Sequence, residues 1–266
     1  MTDISMTDIS PTPRIRVDVA DHIATVTLDN PPVNALSPEM YQAVRTIFDR
    51  LSDIDEIRVA ILAAAGRVFC AGVDLKARSA AVTGPGDGWD YLRASREAFY
   101  SIRECRKPVI AALGGTALGA GFGLIAHCDI LLVSEAASIG LPEIDVGLMG
   151  GGTVVQRLFS PSTARRMALM GYRMPAAEIY RLGIAEACLA PDQLMPTAMA
   201  YARELAAKSP LAIRIAKETL NTIEEMPARE SYRFEQSRTA EMAKSDDAKE
   251  AVRAFMEKRK PVFTGR

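Results

Sequence analysis

Three stretches of the chain combine small residues with groups able to move charge. "RVFCAGVDLK" (67–76) runs through Ala71-Gly72 into a turn, and "GGTALGAGFGL" (114–124) does the same. "GLPEIDVGLMGGGT" (140–153) carries Glu143 between a proline and a glycine cluster. Small residues let the backbone approach a bound group closely, so main-chain N–H groups at such turns can hold negative charge on an oxygen. A carboxylate nearby can take up a proton and return it. The pattern predicts acid/base chemistry on a group whose oxygen becomes negative.

Other chemistries fail on spacing. A dinucleotide fingerprint beginning at Gly119 needs glycine at 124, where Leu124 stands. No P-loop lysine motif, G-x-S-x-G elbow or H-E-x-x-H zinc motif occurs. With His22 and His127 as the only histidines, neither a histidine metal site nor a triad is expected, and His127 reads as a core residue. No metal is predicted. Cys70, Cys105, Cys128 and Cys188 form no C-x-x-C pair and read as reduced thiols.

The elements that must position these groups follow from periodicity. Segments 22–30, 58–65, 108–115 and 128–135 are short, apolar and rich in β-branched residues, as buried strands are. Ser37 and Pro38 open a helix whose Met40, Val44, Ile47, Phe48 and Leu51 share one face. Residues 77–88 read as a loop that shapes the site, followed by a helix carrying Trp89, Tyr91, Leu92, Phe99 and Ile102. Beyond Ser160 only helices are expected, which predicts an α/β core followed by a helical extension. The duplicated "MTDIS" and the prolines after it place residues 1–12 in a flexible tail, with the core at 13–200 and the extension at 201–266. The chain has 266 residues and a formal net charge of −1, so neither nucleic acid nor an anionic membrane surface is an expected partner. No apolar run approaches a membrane span and no leader-like layout opens the sequence, so a cytoplasmic location is expected.

The A-G-x-D-L turn, the G-A-G turn before A-x-C-D, P-E-x-x-x-G, the early "NPPVNALS" and the closing "EKRKPVFTGR" occur in an order that resembles the crotonase superfamily, the enoyl-CoA hydratase/isomerase family, over nearly the whole chain. The resemblance implies a ββα spiral core with C-terminal helices for oligomerisation, a homotrimer or paired trimers. It implies an acyl-CoA thioester as substrate, with coenzyme A entering as part of that substrate and no separate cofactor. It assigns the oxyanion-binding amides to Val73 and Ala120, and acid/base work to Glu143. Substrate-binding positions carried over are Ala71, Gly72, Asp74, Leu75, Lys76, Gly119, Gly121 and Gly123. Backbone contacts to the adenine end fall to Val33 and Ala35, and phosphate and adenine contacts to Lys258 and Phe263. Asp74 and Asp129 also read as structural ties between turns and backbone.

One departure matters. Hydratases of the family resemble one another in using two glutamates around one water, and the first of those positions is Gly123 here. A single carboxylate suits a double-bond or proton shift better than hydration, with Gly123 opening room for a bulky acyl group. Hydratase, hydratase-lyase, decarboxylase and hydrolase readings stay open, as does a catalytically inactive CoA-binding protein. Asp145 would join Glu143 in the site if the segment were extended; otherwise it is expected to pair with a basic side chain.

Overall fold

The computed structural model describes residues 9–266, and it is built from repeated strand–strand–helix units. A hairpin of β1 (Ile15–Ala20) and β2 (Ile23–Leu28) leads into α1 (Pro38–Asp53). Ser37 caps that helix, its hydroxyl accepting the Met40 N–H at 3.3 Å, and Pro38 opens it. The first unit is β3 (Val59–Ala64), β4 (Val68–Cys70), α2 (Leu75–Ala81) and α3 (Asp87–Glu104). The second is β5 (Val109–Leu113), β6 (Thr116–Leu118) and α4 (Ala120–Ala126). The third is β7 (Ile130–Ser134), β8 (Ser138–Gly140) and a 3-10 turn at Pro142–Val146. There follow α5 (Gly152–Leu158), α6 (Pro161–Met170), β9 (Arg173–Pro175), α7 (Ala176–Arg181) and β10 (Ala187–Leu189). The chain closes with α8 (Leu194–Ala206), α9 (Pro210–Ile223), α10 (Ala228–Met242) and α11 (Asp246–Met256).

The first strands of the units form one sheet, ordered β1-β2-β3-β5-β7-β10, and the second strands form another, ordered β4-β6-β8-β9. The unit strands pair in parallel within each sheet. β3 and β5 are apolar throughout because both faces are covered. With a period of two, Ala60, Leu62, Val109, Ala111 and Leu113 enter the main core, while Val59, Ile61, Ala63, Ile110 and Ala112 pack under α8.

The expected α/β architecture is present, with four corrections. Ile9 is in the core and the Thr12 hydroxyl donates to Glu39 at 2.9 Å, so residues 9–12 are packed rather than a loose tail; residues 1–8 lie outside the described residues. The boundary at 200 runs through α8, whose Ala198, Ala202 and Ala206 cover the large sheet. Residues 77–81, expected as loop, belong to α2: Asp74 caps it, accepting the Ala77 N–H at 2.9 Å. Short strands also occur after Ser160, and β10 extends the large sheet; three residues are too few to leave a periodic signal.

Candidate active site

The two small-residue turns meet because neither tolerates a side chain. Gly72 has φ +101°, and a β-carbon there would lie 3.0 Å from the Leu118 carbonyl oxygen and 3.7 Å from the Ala120 nitrogen. Gly119 has φ +52°, and a β-carbon there would come within 2.3 Å of Glu143 Oε1. The G-A-G turn therefore touches the A-G turn on one side and Glu143 on the other.

The hydrogen bonds around the turns leave two amides free. Leu36 donates its N–H to the Gly72 carbonyl at 2.8 Å and accepts the Asp74 N–H at 3.0 Å. Val73, between those bonds, turns its own N–H to the other side. Ala120 is the first residue of α4, so its N–H has no acceptor inside the helix. Neither N–H has a hydrogen-bond acceptor among the described residues. Val73, Ala120 and Glu143 line one cavity of about 480 Å³, together with Ala71, Gly72, Leu75, Gly119 and Gly123.

Glu143 sits in the 3-10 turn between β8 and α5, and its Oε2 is buried with no hydrogen-bond partner. Burial lifts its carboxyl above the ordinary carboxylate range, partly offset by its own backbone N–H. Asp145 also lines the cavity but is exposed and lies against Gly171, where a β-carbon would be 2.9 Å from its oxygens. Because the segment is a 3-10 turn, 143 and 145 do not share the face an extended strand would give them. The expected pairing of Asp145 with a basic side chain is not made among the described residues.

Gly123 opens no room. A β-carbon there would lie 2.8 Å from Phe99 Cζ and 3.1 Å from Cε1, so an aromatic ring fills the place expected for a bulky acyl group. Phe99 in turn stacks on His127 with ring centres 5.5 Å apart. Nδ1 of His127 is 2.7 Å from the Gly123 carbonyl, and burial holds the imidazole down at about 4, so it is a neutral core residue. Gly121 is outside the cavity lining; its Cα packs on Cys70, whose Sγ would be 2.9 Å from an added β-carbon.

Other carried-over positions have structural surroundings. Val33 accepts the Ala71 N–H at 3.0 Å and Ala35 accepts from Asn30 Nδ2 at 2.9 Å, which fixes the early loop beside the A-G turn without entering the cavity. Asp74 is the cap of α2, and Asp129 accepts the Val109 N–H at 2.6 Å and Lys217 Nζ at 2.7 Å. Lys76 and Lys258 are exposed. Phe263 lies against α9 and α11, where Asp247 accepts the N–H groups of Thr264 and Gly265. Within one chain, Lys258 and Phe263 are not brought to the cavity. Among the cavity residues that the sequence reading did not assign to the site are Tyr41, Arg78, Tyr91, Phe99 and a second arginine, Arg173. Tyr91 and Phe99 showed only as apolar helix positions, and Arg78 stood in a segment read as loop.

A spiral of parallel ββα units, two glycine turns with outward amides and one desolvated carboxylate define an enzyme site of the crotonase type. The family model for enoyl-CoA hydratase/isomerase matches residues 18–266. The chain is 36% identical over 252 residues to carnitinyl-CoA dehydratase of Salmonella typhi, covering 92% of this chain and 95% of that protein. Its structure is similar to an enoyl-CoA hydratase from Bacillus anthracis (TM-score 0.90, 29% identity, 95% and 100% of the two chains). It is also similar to an enoyl-CoA hydratase/carnithine racemase from Magnetospirillum magneticum (TM-score 0.89, 28% identity, 97% and 98%). The chain belongs to the enoyl-CoA hydratase/isomerase family of the crotonase superfamily and is an enzyme of that family.

Proposed function

We propose that the protein moves a proton, and with it a double bond, on an acyl-CoA thioester, with Glu143 as the acid/base group. The observation that carries this reading is the contact of Glu143 Oε1 with the Gly119 turn while the Gly123 position is occupied by Phe99. Taking a proton from the carbon beside the thioester places negative charge on its carbonyl oxygen. The N–H groups of Val73 and Ala120 would receive that charge with no reorganisation, each such donor being worth about 2.7–4 kcal/mol of barrier. The same carboxyl then returns the proton two carbons away, which needs no second acid. Desolvation of Glu143 suits a group that must both accept and donate.

A second reading is dehydration of a 3-hydroxyacyl-CoA and its reverse, favoured by the 36% identity to a carnitinyl-CoA dehydratase. Here Glu143 would take the proton beside the carbonyl and hand one to the leaving hydroxyl. Incubation with 3-enoyl- and 2-enoyl-CoAs of equal length separates the two. Formation of conjugated thioester from the 3-enoyl substrate supports the shift. Faster conversion of the 2-enoyl substrate to its 3-hydroxy product rejects it in favour of hydration.

A further inference from the structure

Proton transfer at Glu143 leaves one group of cavity residues unused. Tyr41 comes from α1, Arg78 from α2, and Tyr91 and Phe99 from α3, and all four line the cavity. The Phe99 ring rests on Gly123, whose N–H donates to the Gly119 carbonyl at 3.0 Å, one helical turn from the Ala120 amide. Phe99 meets Tyr41 edge-on at 6.2 Å, and Tyr41 meets Tyr91 edge-on at 5.7 Å. The Arg78 guanidinium carbon lies 5.7 Å from the centre of the Tyr91 ring. An unbroken aromatic wall thus leads from the amide turn to a cation.

The polar ends of this wall lack acceptors. Tyr41 is 1% exposed and Tyr91 7%; their hydroxyls face one another, yet neither makes a full hydrogen bond. A buried polar group left unpaired costs about 1–3 kcal/mol. Arg78 forms no ion pair among the described residues. The carboxylate whose charge Tyr91 feels is Asp74, which is held by the Ala77 N–H as the cap of α2. Three donors, one of them positively charged, therefore share one patch of the wall.

The chemistry of these donors selects the ligand end. A methyl-ended chain would leave both hydroxyls unpaired. A quaternary ammonium would find aromatic faces, but the face of Tyr91 is already taken by a guanidinium of the same sign. A carboxylate accepts several hydrogen bonds at once and pairs with a guanidinium. We propose that Arg78, Tyr41 and Tyr91 form a subsite for a carboxylate-ended acyl chain, so that the substrate is the CoA monothioester of a dicarboxylic acid. This rests on the acyl-CoA reading above and names the class of acyl group.

The test separates binding from chemistry by using saturated thioesters, which have no double bond to shift. Titration calorimetry on the full chain compares hexanedioyl-CoA with hexanoyl-CoA. The carboxylate-ended thioester is expected to bind about tenfold more tightly, the scale of a charge-assisted hydrogen bond. Arg78→Met is expected to erase that difference while leaving hexanoyl-CoA affinity unchanged. Tyr41→Phe and Tyr91→Phe should each reduce it about threefold, each losing one donor to the carboxylate while Arg78 still holds it. Equal affinities in the unmodified protein, or tighter binding of a trimethylammonium-ended thioester, would overturn the subsite. So would an Arg78→Met variant that weakens both thioesters alike, which would place Arg78 on the CoA phosphates. A retained preference for hexanedioyl-CoA without turnover of any enoyl-CoA would leave the subsite standing and remove the proposed reaction. Failure to bind either thioester would remove both.

Discussion

The two ends of the cavity are built from different materials. At the Glu143 end the working parts are main-chain amides held by glycine turns, with one carboxyl pressed against Gly119. At the Arg78 end they are side-chain hydroxyls, rings and a guanidinium drawn from three separate helices. In the proposed reaction the backbone end sets what chemistry is possible and the side-chain end sets which acyl group meets it. Substitutions at the first end should therefore act on kcat, and those at the second on binding.

The largest effect is expected from Glu143→Gln, which keeps the shape but removes the proton carrier. A loss of about 10²–10⁴-fold in kcat with nearly unchanged KM is expected, read by steady-state kinetics on the active enoyl-CoA. Next is Ala120→Pro, which replaces the N–H with a ring methylene facing the cavity. Proline fits the first position of a helix, and Gly119 (φ +52°, ψ −118°) has the mirror image of an extended backbone, which a following proline accepts. About 10²–10³-fold loss in kcat with an intact fold is expected, checked by kinetics beside circular dichroism.

A milder signature lies in pH dependence. Burial raises the Glu143 carboxyl, and in the proposed reaction its ionised form is the base. Activity should hold above that raised value and fall as pH drops through it, placing the acid limb of kcat/KM above the usual glutamate value of about 4.3. A limb at the ordinary value would show that Glu143 is not the desolvated base. Smallest for catalysis, but visible in stability, is Phe99→Ala. It empties the contact with Gly123 and Tyr41, and since Phe99 is half-buried it should cost about 2 kcal/mol in urea unfolding. Combined with Gly123→Glu it tests whether the aromatic ring, rather than helix geometry, excludes a second carboxylate.

The same contrast explains what could be read in the sequence. Gly72, Gly119 and Glu143 were legible because close backbone approach demands glycine at fixed offsets, and such demands leave a pattern along the chain. The strands β2, β3, β5 and β7 were legible as apolar runs buried on both faces. Arg78 was hidden in a stretch whose serine, glycine and proline content signalled loop, although residues 75–81 are helical. Tyr41, Tyr91 and Phe99 sat on apolar helix stripes where a ring facing a cavity and a ring facing the core look alike. That Phe99 takes the room beside Gly123 is a tertiary fact, since α3 and α4 meet only after the spiral closes.

One ion pair, buried on its lysine side, has a consequence for how the molecule comes apart. Lys217 of α9 reaches back to Asp129 at 2.7 Å and to the carbonyls of Ile102 and Lys107, while Asp129 also holds the N–H that starts β5. Cutting Asp129 leaves the buried Lys217 ammonium with carbonyl partners alone, whereas Asp129 itself keeps access to water. The late helices and the spiral are thereby energetically welded, and heating should melt them in one calorimetric peak rather than shedding the helices first.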